Sequence, residues 1–256
     1  MNVEGGSVTG PRIEVAGSSH VGKVRARNED VIAFDAWRGW MVLADGMGGY
    51  QGGDVAARLA VDTVMSGLEN SFFPAWSARQ AADALLDAVC SANIEIYRAS
   101  LRNSDLAFMG STIVAALFVE ESLVCVHLGD SRMYRIRGAS GVLELLTRDH
   151  TVLQEEIDAG LISADDARLM GARGPLTRGL GVAADATPEI TRYAVDSGDV
   201  FLLCSDGLTD MLSADEIRSV LVSHQKLDEV ADALITAANL RGGRDNVSVV
   251  LARMVV

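Results

Sequence analysis

The chain of 256 residues is 49% hydrophobic and 22% charged, and its 22 basic and 35 acidic side chains give a net charge of -13. Apolar material on that scale sustains a substantial core. An acidic chain with no basic face excludes binding through nucleic-acid phosphates, which depends on clustered Lys and Arg. The longest apolar run, near Thr112 to Val119, falls far short of the roughly 20 residues that cross a bilayer, so no membrane partner is expected. Cys90, Cys125 and Cys204 form neither a CxxC pair nor a disulfide framework, which points to a reducing, cytoplasmic setting.

In chain order, Met1 to Pro11 is polar and Gly-containing and reads as a loose tail, not a signal peptide. Without a linker beyond it, residues 12–256 are predicted to form one domain. Ile13 to Ala16 and Trp40 to Ala44 read as strands. Asp54 is a candidate N-cap for a helix carrying Val55, Leu59, Val61, Val64, Met65 and Leu68 at helical spacing. Ser77 and Gln80 make a capping box for a second helix, whose stripe runs through Ala81, Leu85, Ala88, Ala92, Ile96 and Ala99.

Four strand-like runs follow between Thr112 and Leu146, joined by brief connections, and an antiparallel meander is the simplest arrangement for them. Ile190 to Val195, Val200 to Cys204 and Val247 to Val255 complete the strand material. Ser213 and Glu216 form another capping box, opening a helix to about Ser223, and Leu227 to Ala238 marks a longer one ending before Gly242 and Gly243. Runs of strands bracketed by helices imply antiparallel sheets covered by helices, an α+β class.

Two glycine-rich segments invite nucleotide readings. Gly17 to Lys23 matches GxxxxGK, but Val24 stands where a hydroxyl must reach magnesium, and no helical stripe follows. Gly46-Met-Gly48-Gly49-Tyr-Gln51 carries Gln51 where a dinucleotide fingerprint needs its third glycine. A stronger pattern is that Asp45 and Asp206 each end an apolar run before a glycine, while Asp245 lies just before the last strand. Each alone reads as turn chemistry. Gathered at one rim, they would form a like-charged cluster that only a cation relieves, and oxygen-only donors select hard ions such as magnesium or manganese.

Seven segments together resemble the metal-dependent serine/threonine phosphatases of the PP2C, or PPM, family in its bacterial form. They are Arg25-x-x-Asn28-Glu29-Asp30, Val42 to Gly49 around Asp45-Gly46, Gly110-Ser111-Thr112, Gly129-Asp130-Ser131-Arg132, Leu146 to His150, Leu202 to Gly207, and Arg244-Asp245-Asn246. The resemblance runs from about residue 13 to 255 and implies an α-β-β-α sandwich with a two-metal centre at one end. It implies that Asp45 bridges two Mn2+ or Mg2+ ions, the Gly46 carbonyl binds one, and Asp206 with Asp245 holds the other. Glu29 and Asp30 would orient water at the metals, Asp130 with Asp206 would form a third, weaker metal position, and Arg25 would grip the substrate phosphate. Water activated by the metals would then attack phosphorus directly, with no phosphoenzyme.

The implied partners are a cognate Ser/Thr kinase and its phosphorylated substrates, served by a monomer. Competing readings are a catalytically silent binding module on the same fold and the P-loop enzyme considered above. Two departures from the family pattern stand out. Met47 occupies the place of a histidine proposed as leaving-group acid in eukaryotic members, and Gly179 stands where alanine is more usual. Among the histidines, His150 beside Asp149 is expected to be structural. The segment of about residues 155–178 resembles a flap beside the active site, and its acids Glu155, Glu156, Asp158, Asp165 and Asp166 either favour basic phosphopeptides or form a solvated helical face.

Overall fold

The computed structural model describes residues 13–48, 52–71, 76–163, 165–167 and 174–255. The expected tail, Gly49 and part of the flap-like segment lie outside the described residues. Two antiparallel sheets face each other. The first runs, in spatial order, β1 (Ile13–His20), β11 (Val247–Met254), β10 (Val200–Cys204), β7 (Arg132–Ile136) and β8 (Leu143–Leu145). The second runs β2 (Asp30–Asp35), β3 (Trp40–Met47), β5 (Ile113–Val119), β6 (Ser122–Leu128) and β9 (Glu189–Ala194), with β4 (Gly110–Ser111) pairing the end of β3.

Strand periodicity explains the layering, because successive side chains point to opposite faces. In β5, Ile113, Ala115 and Leu117 pack under helices α1 (Gly53–Ser71) and α2 (Ala78–Arg102), whereas Val114, Ala116 and Phe118 face the other sheet. In β10, Val200, Leu202 and Cys204 meet the helical side, which includes the short α4 (Asp206–Thr209), α5 (Ala214–Ser223) and α6 (Leu227–Leu240), while Phe201 and Leu203 enter the space between sheets. Burial on both faces is why these strands read as continuous apolar runs. A further short helix, α3 (Val152–Asp158), precedes the flap-like segment. Both capping boxes form, Ser77 with Gln80 and Ser213 with Glu216. The architecture is the expected α-β-β-α sandwich, and among the described residues no helix is long and apolar enough to cross a membrane.

Two expectations need correction, one rejected reading stays rejected, and one strand was missed. The strands from Thr112 to Leu146 are not one meander: β5 and β6 pair in one sheet, β7 and β8 in the other. The chain changes sheets at Gly129 to Ser131, because β6 takes β9 and β7 takes β10 as second neighbours. Asp54 is not an N-cap but lies in the first turn of α1, where its carboxylate accepts from the Val55 N–H at 2.9 Å. The residues from Gly17 to His20 continue β1 as extended strand, so they cannot wrap a phosphate. Finally, β2 was not read from the sequence: Val31 to Phe34 are apolar, but the run is only four residues long and is bounded by Asp30 and Asp35.

Phe118 and Phe201 meet edge to face between the sheets, with ring centroids 5.5 Å apart and planes at 80°. Replacing Phe201 with Ala should therefore lower the unfolding free energy by about 3–5 kcal/mol. Urea denaturation checks this, and a loss below about 1 kcal/mol would show that the sheets close over the gap.

Candidate active site

Strand ends from both sheets converge on a cavity of about 720 Å3 whose lining includes Arg25, Glu29, Asp45, Gly46, Asp130, Asp206 and Asp245. Asp45 comes from the end of β3, directly across the ladder from Asp30 on β2. Its backbone is pinned on both sides: its N–H donates to Thr112 Oγ1 at 3.1 Å, and its carbonyl accepts from the Thr112 N–H at 2.8 Å and Ser111 Oγ at 2.9 Å. The Thr112 hydroxyl in turn meets Ser131 Oγ at 2.7 Å, beside Asp130. The Gly-Ser-Thr segment thus ties the ends of β3 and β6 together.

Glycine after aspartate has a packing reason at two of these corners. A Cβ on Gly46 would lie 2.0 Å from the Gly53 carbonyl oxygen, and one on Gly207 would lie 1.9 Å from that of Asn246. Only glycine lets α1 press against the Asp45 corner and lets α4 press against the Asp245-Asn246 turn. Asp206 and Asp245 become neighbours through that second contact.

The carboxylates raise one another's proton affinity. Asp45 keeps partial access through the cavity mouth, but protein desolvates it and Asp30, Asp206, Asp130 and Asp245 surround it with negative charge, holding its carboxyl well above the usual range. Asp30 is buried, and loss of water pushes its carboxyl up to about 6 against the hydrogen bonds that favour its charge. One of its oxygens accepts from Ser205 Oγ at 2.8 Å. The other, Oδ1, is buried with no donor, and a hydrogen bond to the Asp45 carboxyl requires a proton on one of the pair. Glu29 is raised too, by desolvation and then by Asp54.

Arg25 reaches across to Asp245, Nη2 to Oδ2 at 2.6 Å, from a loop that packs on the turn before β11. Asn246 holds that loop. Its carboxamide accepts from the Glu29 N–H at 2.8 Å and donates to the carbonyls of Val21 at 3.0 Å and Arg27 at 2.8 Å. The sequence reading gave Asn246 no role; its side chain, buried among backbone groups, is what sets Arg25 and Glu29 at the cavity.

His150 is structural, as expected. Its Nδ1 accepts from the Gly129 N–H at 3.0 Å, its own N–H donates to the Gly129 carbonyl at 3.0 Å, and its Nε2 meets Glu189 Oε1 at 3.1 Å. The bond at Nδ1 places the ring proton on Nε2. His127 stacks on it with centroids 4.9 Å apart, and Arg178 lies 3.5 Å from the same Nε2. A protonated nitrogen beside a guanidinium disfavours a cation there, so this cluster steadies the Asp130 turn. In the flap-like segment, Asp158 pairs with Arg148, and Asp166 accepts from Ser163 Oγ at 2.6 Å. Those two acids are therefore engaged within the protein.

The family model described as Protein phosphatase 2C matches residues 16–242. The chain belongs to the protein phosphatase 2C family. It is 36% identical over 233 residues to a serine/threonine phosphatase, stp, from Listeria monocytogenes, an alignment covering 90% of this chain and 91% of the relative. The crystal structure of the Mycobacterium tuberculosis serine/threonine phosphatase PstP/Ppp superposes with a TM-score of 0.86 at 35% identity, covering 95% of this chain and 99% of that one. The PstP catalytic domain in complex with two manganese ions superposes with a TM-score of 0.84, also at 35% identity and with the same coverage.

A divalent cation fits the residues present. The donors are oxygens only, suited to hard ions. The acids repel one another, and Asp30 Oδ1 beneath them has no donor. Relief of that repulsion should be measurable. In chelator at pH 7.5, Asp45→Asn is expected to be more stable than wild type, by roughly 1.4 kcal/mol per unit by which the carboxyl is raised. A carboxyl raised in the folded state binds its proton more tightly there than when unfolded, so the wild-type penalty fades as pH falls toward 5. The advantage of Asp45→Asn must shrink with it; thermal melts showing a constant or growing advantage would refute the repulsion. Asn246→Ala should cost about 1–3 kcal/mol through the backbone groups it leaves buried, and a cost within 0.3 kcal/mol by chemical denaturation would deny it the tethering role.

Proposed function

We propose that the chain hydrolyses phosphoserine and phosphothreonine esters on proteins with the help of divalent cations. The observation that carries this reading is a cluster of mutually repelling carboxylates at a cavity whose rim holds an arginine. In it, Asp45, the Gly46 carbonyl, Asp206 and Asp245 would hold two manganese or magnesium ions. Glu29 and Asp30 would orient water beside them, and Asp130 with Asp206 would supply a third, weaker position. Bound there, the cations acidify water and offset the charge of the phosphoryl oxygens.

The chain's own residues do the remaining work. Arg25 has five N–H donors in a planar fork, enough to keep Asp245 and still present two to a phosphate. Asn246 fixes the loop that carries it, so the phosphoryl group arrives oriented at little entropic cost. Met47 lines the cavity but its thioether carries no proton, so the departing alkoxide takes its proton from water entering the open cleft. The substrates in this reading are a Ser/Thr kinase and that kinase's targets, met by a monomer in the cytosol.

Turnover of p-nitrophenyl phosphate and of a phosphothreonine peptide should appear with manganese and vanish with chelator. Asp206→Asn is expected to lose metal affinity by calorimetry and turnover together, by about 100-fold or more. Arg25→Ala is expected to keep its metals and raise KM about tenfold or more. Equal metal loss in both variants would contradict their separate roles.

A further inference from the structure

After α2 a short 3-10 turn at Ser104–Leu106 leads into a second turn, closed by the Met109 N–H donating to the Leu106 carbonyl at 3.2 Å. Ala107 has φ -58 and ψ 136, and Phe108 has φ 65. These are the angles of a type II turn, whose third residue needs positive φ and is ordinarily glycine or asparagine. A bulky aromatic there is strained. It is also 95% exposed, more than any other large apolar side chain described. A residue that harms the fold on both counts points to a use outside it.

Its position suggests the use. The turn feeds β4, whose Gly110 pairs with Met47 on the strand of Asp45. A Cβ on Gly48, which lines the cavity, would lie 2.8 Å from Met109 Cα and 3.3 Å from the Phe108 carbonyl oxygen. Two residues on from Phe108, a Cβ on Gly110 would lie 3.1 Å from Val182 Cγ1 and 2.9 Å from Met47 Cε. Val182 is 56% exposed, yet its segment is rigid. The buried Asn93 carboxamide accepts from the Gly181 N–H at 2.7 Å and donates to the carbonyls of Ala183 at 3.1 Å and Ala184 at 3.0 Å. Gly179 completes the arrangement, since a Cβ there would fall 2.5 Å from Met47 Cε. The glycine leaves room for the Met47 methyl, which explains its departure from alanine.

We propose that Phe108 and Val182, with Met47 at the cavity wall, form an apolar shelf that receives an apolar side chain next to the phosphorylated residue of a protein substrate. The inference rests on the phosphatase reading and adds a sequence preference to it. The shelf adjoins the cleft through Met47, which lines the cavity as Gly48 does, and a few side chains fall far short of the roughly 800 Å2 per partner that a stable dimer buries, so the occupant is a substrate segment and not a second copy.

The test uses two phosphothreonine peptides that differ only in carrying Leu or Ser on both sides of the phosphothreonine, assayed with manganese. Wild type is expected to favour the Leu peptide by about tenfold in kcat/KM, expressed in KM. Phe108→Gly should bring the ratio of the two peptides to about one while raising Tm through relief of the turn, and Phe108→Leu should keep most of the preference. Equal use of both peptides by wild type, or an unchanged ratio in Phe108→Gly, would overturn the proposal, since mere structural damage lowers both peptides alike. Failure of wild type to turn over either peptide or p-nitrophenyl phosphate would instead overturn the phosphatase reading on which it rests.

Discussion

Everything at the cavity follows from the forced proximity of like charges. Carboxylates left to themselves move apart, and water screens what repulsion remains. Here they sit on strand ends from two sheets whose facing sides are locked by Phe118, Phe201 and their neighbours. The rigidity of that interior holds the acids against their own repulsion and keeps a strong preference for cations at one end of the molecule.

The frame does this through many small constraints, none of them chemical in the catalytic sense. Thr112 and Ser111 grip the Asp45 backbone, Ser205 reaches the Asp30 carboxylate, and Asn246 clasps the loop of Arg25. Gly46 and Gly207 remove side chains where helices must touch the site. Such residues act by location, and a buried amide or hydroxyl satisfied by backbone groups is costly to disturb. The site's geometry is thus shared between the acids, which are visible as chemistry, and uncharged neighbours that look ordinary.

Phe108 shows the opposite balance. The helices obey local rules: capping boxes open α2 and α5, and apolar stripes face the sheets. At Phe108 a turn that favours glycine carries an exposed aromatic beside the cleft. Local rules tend to be broken where a surface serves something other than folding.

The sequence alone determined the four longer helices and most strands, because caps and periodicity are local. It also marked Asp45 and Asp206, since Asp-Gly at the end of an apolar run is local too, and Asp245, which lies just before the last strand, while the ordered motifs named the family. Tertiary structure alone decided the rest. The meander was wrong because pairing partners for β6 and β7 come from β9 and β10, more than 60 residues downstream; nothing in a hairpin-length window records that choice. β2 escaped although Val31 to Phe34 are all apolar, because the run is only four residues long between two aspartates and its pairing with β3 is a tertiary fact. Asn246, Ser205 and Asn93 were silent for a related reason: the groups they bond lie far away along the chain, and a polar residue's partner exists only once the chain has folded.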